Sequence, residues 1–136
     1  MSMRVLLAFA AMAASSVAAA SSARADDTAP HHVTYTVTSE RPTRADIYYR
    51  DVEPPNWPDY SHNPYSFSPK VEADLGPGSP WVLEVDLANP ERWAMVSASS
   101  GLRPETPTLQ CQLTIDGVVV KSGSGPKGAL CSVRNW

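Results

Sequence analysis

Three histidines, two cysteines and 14 carboxylates are the side chains of this 136-residue chain with chemistry to offer. A three-histidine metal site needs His31, His32 and His62 to converge on one ion. His31 and His32 are neighbours in a β-patterned run, so their rings leave opposite faces of the strand and metal ligation is not expected. Serines are plentiful, but no Gly-x-Ser-x-Gly elbow occurs, and Ser99-Ser100-Gly101 reads as the start of a loop. Asp46, Asp51, Asp59, Glu72, Asp74, Glu84 and Asp86 supply many conceivable carboxylate pairs. Most alternate with apolar residues, which is the pattern of a solvated strand face. Lys121 to Gly128 mixes glycine and lysine without the spacing, or the following helix, of a phosphate-binding loop. No catalytic residue and no cofactor is assigned. The chain is read as a non-enzyme, with a hydrolase of unrecognised site as the alternative that a cleft gathering His62 with serine and carboxylate would favour.

Cys111 and Cys131 are the only cysteines. Neither lies in a Cys-x-x-Cys pair or near a histidine, so redox and metal roles have no support. In an exported chain an even pair forms a disulfide. Whether this one joins neighbouring strands or clamps two sheets is left open by the sequence.

Glu53 to Pro69 is the segment that suits binding. It holds five prolines together with Trp57, Tyr60, Tyr65 and Phe67. Disordered segments are poor in aromatic residues, so an ordered excursion is expected. Exposed, its rings would form an aromatic-proline surface for a partner protein or an amphiphilic ligand. Alternatively, the rings close an open end of the fold. Trp57, Tyr60, Tyr65 and Phe67 are the candidate contact residues.

The elements that must position these residues are strands. In His31 to Thr38, Val33, Tyr35 and Val37 alternate with threonines. Further strands are read at about Ala45–Val52, Lys70–Leu75, Trp81–Leu87, Trp93–Ser99, Thr108–Ile115, Val118–Val120 and Ala129–Arg134. Both cysteines fall on apolar strand faces. Asp116-Gly117 between two runs is a type I′ hairpin signal, because that turn needs positive φ at both central positions. Gly76 to Pro80 is a turn, and Ser122 to Gly128, rich in glycine and serine, reads as a flexible loop. Thirteen prolines punctuate the chain and leave no room for a long helix. Turns every 8–12 residues between short strands imply an all-β fold: an immunoglobulin-like antiparallel β-sandwich of about seven or eight strands with one disulfide.

The front of the chain sets the compartment. Arg4, the uncharged run Val5–Ala20 and the Ala23-x-Ala25 site form a secretory signal pattern. The run is 16 residues, short of the roughly 20 that a spanning helix needs. Cleavage after Ala25 is expected, leaving residues 26–136 as one domain with no stable membrane span. Without Arg4 and Arg24 this part holds nine basic against 14 acidic residues, a net charge of −5. With no basic run, nucleic acid is not an expected partner. The alanine-rich leader points to a high-GC bacterial source, actinobacterial or proteobacterial.

Leu109 to Val120, with Cys111-x-Leu113-x-Ile115-Asp116-Gly117, and the later Ala129-Leu130-Cys131-Ser132-Val133 resemble the end of the MmpS family. Val33 to Thr38 and Ala45 to Tyr49 resemble that family's first two strands. MmpS proteins are small mycobacterial membrane proteins that accompany large lipid transporters. The resemblance implies a cell-envelope accessory whose partner is a transporter or a lipidic ligand. The chain departs from the family in its cleavable leader and in the insert Glu53–Pro69. The reading is therefore a secreted or periplasmic envelope protein that binds rather than catalyses, with a binding module for host or carbohydrate partners as the alternative.

Overall fold

Alternation decides the local structure. Inward Val33, Tyr35, Val37 and Ser39 are buried while the threonines between them are half-exposed, and His31–Ser39 is strand β1. The computed structural model describes residues 29–102, 104 and 106–135, so the expected leader and its cleavage site lie outside the described residues. Seven more strands follow: β2 (Thr43–Tyr49), β3 (Lys70–Leu75), β4 (Trp81–Leu87), β5 (Met95–Ser99), β6 (Thr108–Ile115), β7 (Val118–Pro126) and β8 (Gly128–Ser132). They form two four-stranded sheets, ordered β4-β1-β6-β7 and β3-β2-β5-β8. Every pairing is antiparallel. The expected all-β sandwich is immunoglobulin-like in its two facing sheets around one core.

Val33, Tyr35, Val37, Ala45, Ile47, Val96, Leu109 and Leu113 expose no surface and form the centre of that core. Each fully buried aliphatic side chain contributes about 1.5–3 kcal/mol. Cys111 in β6 and Cys131 in β8 are bonded, and their strands belong to different sheets. The bridge therefore clamps the sandwich across its core. Asp116 and Gly117 take φ values of 50° and 81°, as the two-residue hairpin requires.

Several boundaries differ from the sequence reading, among them the last strand, which spans Gly128–Ser132 rather than Ala129–Arg134. The glycine-serine stretch from Ser122 is not a loop: β7 runs on to Pro126, paired with β6 throughout. A Cβ at Gly123 would lie 2.8 Å from the Leu130 carbonyl oxygen, and one at Gly125 equally close to that of Gly128. The glycines let β7 press against β8, so their role is close approach rather than flexibility. The fifth strand begins at Met95 and not at Trp93, because Asn89-Pro90 starts a helical turn, α2 (Pro90–Trp93). Proline's fixed φ suits that first helical position. The second strand ends at Tyr49, and Arg50 opens the excursion through Glu53–Pro69.

Candidate functional site

The excursion leaves β2 and returns to it, the Tyr49 N–H donating to the Pro69 carbonyl at 3.1 Å. Between these points it folds into α1 (Trp57–His62) and a 3-10 turn over Pro64–Phe67. Asn56 caps α1, its side-chain oxygen accepting from the Asp59 N–H at 2.8 Å. Pro58 falls in the first turn, where its missing N–H costs nothing. On the facing side, Glu53 accepts hydrogen bonds from the backbone and side chain of Asn89 and so holds the start of α2.

These two short helices bring three rings together. Trp57 lies 5.3 Å from Tyr60 and 6.4 Å from Trp93, and Tyr60 meets Trp93 edge-on at 5.6 Å. Two arginines interleave with them. The Arg50 guanidinium stands 4.6 Å from the Tyr60 centroid and 5.7 Å from that of Trp93. Arg134 stands 4.2 Å from Trp57 and 5.9 Å from Trp93. Negative ring faces attract such cations, the more so where water is excluded.

Arg50 is fully buried. Its Nε donates to the Phe67 carbonyl and its Nη2 to the Ser68 hydroxyl, both at 3.1 Å. Its own carbonyl accepts from the Tyr35 hydroxyl at 2.6 Å, and that hydroxyl accepts from the Met95 N–H at 3.3 Å. Burial pushes the Tyr35 phenol well above its ordinary value, so it stays a neutral donor. A chain of bonds thus runs from the sandwich core through Arg50 into the aromatic excursion.

Above the cluster opens a cleft of about 530 Å³ lined by Glu53, Pro54, Asn56, Trp57, Arg92 and Arg134 among others. Of the expected contact residues, Trp57 reaches the cleft and is 46% exposed. Tyr60 is half-buried under Arg50, and Phe67 is half-buried with its carbonyl on that arginine. Tyr65 stands 81% exposed on the 3-10 turn, outside the ring cluster. The two readings of the segment therefore divide among its residues: Tyr60 and Phe67 close the sandwich, while Trp57 and Tyr65 face outward. Arg50, Arg92, Trp93 and Arg134 were not legible as site residues. The one signal was Trp93 three residues after Pro90, since Asn89-Pro90 marks a turn that can carry a ring toward a neighbour.

The histidines do not gather. His31 bonds to Asp116 at 2.6 Å, and His32 lies between Glu84 and Asp86 at 3.3 and 3.4 Å. His62 is exposed on α1. Among the described residues no group of three or more histidine, cysteine or acidic side chains is placed to hold a metal ion. A second hollow, of about 430 Å³, lies on the outer face of the first sheet over Thr36, Thr38, Gln110, Gln112, Ser122 and Ser124. It offers hydroxyls and amides but no ring.

A family model described as the Rv2576c beta-sandwich domain matches residues 35–131. The chain is 39% identical over 114 residues to uncharacterized protein Rv2576c and to uncharacterized protein MT2652, both of Mycobacterium tuberculosis, and to uncharacterized protein Mb2606c of Mycobacterium bovis. The alignment covers 84% of this chain and 73% of each relative. This overturns the MmpS resemblance. The residues that carried it answer to local demands: Asp116-Gly117 makes a two-residue turn, and Cys111 and Cys131 bridge facing sheets. Unrelated sandwiches meet the same demands with the same residues.

Proposed function

We propose, on the premise that this chain belongs to the Rv2576c beta-sandwich domain family, that it is an exported, non-catalytic binding module of the bacterial envelope that takes an anionic amphiphile at the Trp57 cleft. The inter-sheet disulfide is consistent with a protein that works outside the cytoplasm, and the basic-apolar-alanine leader supports export. His31 and His32 are bonded to separate acidic residues and His62 stands exposed on α1, and this scatter supports binding over hydrolysis.

The observation that carries the ligand class is the lining of the cleft. Half-exposed Trp57 and exposed Pro55 offer apolar surface, and Arg92 and Arg134 bring positive charge to the same opening. Concentrating cations here matters because residues 26–136 carry a net −5. An amphiphile with an acidic head satisfies both features. A carbohydrate is the second reading, favoured by Glu53, Asn56 and Asn89 at the same opening, whose amides and carboxylate suit hydroxyl groups.

Titrating the protein with lysophosphatidylglycerol, lysophosphatidylcholine and an acidic oligosaccharide, while following the Trp57 indole by NMR, tests this. A saturable shift with the anionic lysolipid alone, weakened in Arg92→Ala, is expected. A shift with the oligosaccharide alone moves the assignment to sugar. No shift with any of them leaves the cluster a structural closure and removes the proposal.

A further inference from the structure

The sandwich is closed on one flank and open on the other. At the closed flank β7 lies against β8, and the disulfide ties β6 to β8. At the open flank stand the edge strands β4 and β3. Inward residues of central strands, such as Tyr35 and Leu113, expose nothing, whereas Trp81, Leu83 and Val85 of β4 and Val71 and Ala73 of β3 pack on the core while staying partly exposed. The apolar interior therefore runs out to solvent between these two strands, bridged by the Trp81 and Tyr49 rings at 5.6 Å.

The four sheet edges differ in how they are protected. β7 carries an irregularity opposite Leu113/Thr114, two glycines pressed on its neighbour and a terminal proline. β8 is only five residues long. β3 begins on Lys70. β4 has none of these devices: Trp-Val-Leu-Glu-Val-Asp-Leu pairs with β1 in unbroken register from Val37↔Trp81 to His31↔Leu87. Proline, charged side chains, bulges and shortness are what keep edges from templating a further strand, and of these β4 has only the acidic pair Glu84 and Asp86, which opposes a like-charged strand and not a basic one. Among the described residues nothing pairs with the other side of β4.

Charge selects the occupant. On the outer face of β4, Glu84 and Asp86 stand exposed, with His32 between them on β1. On the outer face of the other sheet, β3 carries Glu72, Asp74 and Lys70, and Glu72 is matched there by Arg44 at 2.8 Å and Lys70 at 3.9 Å, so the acidic surface unmatched by lysine or arginine, among the described residues, is that of β4. A second copy adding antiparallel about Glu84 would set Glu84 against its own counterpart, and like charges directly opposite are unfavourable. A strand with lysine or arginine facing outward and apolar residues facing inward fits both surfaces.

We propose that the β4 edge docks an extended segment of another protein, alternating apolar and basic residues, which joins the first sheet as an added strand and covers Trp81, Leu83 and Val85. Main-chain bonds along Val82–Asp86 hold it, its apolar side chains close the open flank, and its cations meet Glu84 and Asp86.

The test uses the purified full chain and two short synthetic peptides, one alternating valine with lysine and one alternating valine with glutamate. Amide hydrogen exchange and NMR shifts are read along β4. The expected result is protection of the Val82–Asp86 amides by the lysine peptide only. In Glu84→Lys/Asp86→Lys, whose replaced side chains are exposed, the lysine peptide should bind about fivefold or more weakly. Three results overturn the proposal: no protection by either peptide, lysine-peptide binding unaffected by the double substitution, or β4 amides protected by dimerisation of the chain in the absence of peptide.

Discussion

Arg50 holds its guanidinium 4.6 Å from the Tyr60 ring while its own backbone carbonyl accepts the Tyr35 hydroxyl from the core. One residue thereby joins the sandwich to the aromatic excursion. The order of Glu53–Pro69 depends on it, because the excursion's prolines cannot build a hydrogen-bonded ladder of their own.

Arg50→Ala should lower the unfolding free energy by about 3 kcal/mol, since it removes a buried donor network and leaves the Phe67 carbonyl without its cation. Arg50→Lys should recover only part of this, because an ammonium cannot reproduce the planar fork. Urea unfolding gives the magnitude, and near-ultraviolet circular dichroism follows the rings. A near-native midpoint in Arg50→Ala would refute the keystone role.

Trp93 and Trp57 sit in one cluster but at different depths, 5% and 46% exposed. Trp93→Ala should cost about 3–5 kcal/mol by leaving a cavity, and Trp57→Ala about 1–2 kcal/mol. Equal losses would mean that Trp57 serves closure as fully as Trp93 does, and that the cleft is no binding surface.

Gly123 and Gly117 are constrained for different reasons. Alanine at 123 puts its methyl 2.8 Å from a backbone oxygen, a clash, and in ordinary contact with both disulfide sulfurs at 3.4 and 3.5 Å. Displacing β7 from β8 should cost about 1–3 kcal/mol. Alanine at 117 meets open space, but at φ 81° it should cost about 1 kcal/mol through backbone strain alone. Thermal melts of the two variants rank them; Gly117→Ala proving the more damaging would contradict the packing account.

Opening the Cys111–Cys131 bridge releases a loop of 20 residues. In the chain-entropy treatment this lowers stability by about 3 kcal/mol. The double serine variant, compared with the reduced wild type by urea unfolding, should show that loss in both.

His31 and Asp116 make stability depend on pH. The hydrogen bond to Asp116 raises His31 above its ordinary 6.5, and the bonds from His31 and from the His32 N–H lower Asp116 below its ordinary 3.8. The histidine's contribution is complete below pH 6.5 and is lost as pH rises through its higher folded-state value. The aspartate's is complete above pH 3.8 and is lost as pH falls through its lower one. Their share of the stability is therefore greatest between these values. His32, raised by its bonds to Glu84 and then Asp86, reinforces the loss on the alkaline side. Asp116→Asn should return the His31 titration, followed by ring NMR, toward 6.5; an unmoved His31 would reject the pairing.

Periodicity alone determined most of the sandwich. Val33, Tyr35 and Val37, like Leu109, Cys111 and Leu113, had to face inward together, because a strand turns alternate side chains to opposite faces whatever its partners are. Asp116-Gly117 determined its turn for an equally local reason, since the required backbone angles belong to those two residues. Which rings of Glu53–Pro69 face outward was not legible, since Trp57 and Tyr60 both sit among prolines and polar residues and only their packing on Arg50 and Trp93 separates them. What only the tertiary structure decided depends on approach between distant segments. Gly123 looked like loop until the Leu130 carbonyl stood where its side chain would have been. Arg50, a cation at the end of a strand, gave no sign of burial, because its burial depends on Tyr60, Phe67 and Trp93 arriving from two other segments. The edge position of β4 was invisible for the same reason: Trp81, Leu83 and Val85 alternate as cleanly as any core strand, and only the arrangement of the sheets leaves β4, among the described residues, with a strand on one side alone.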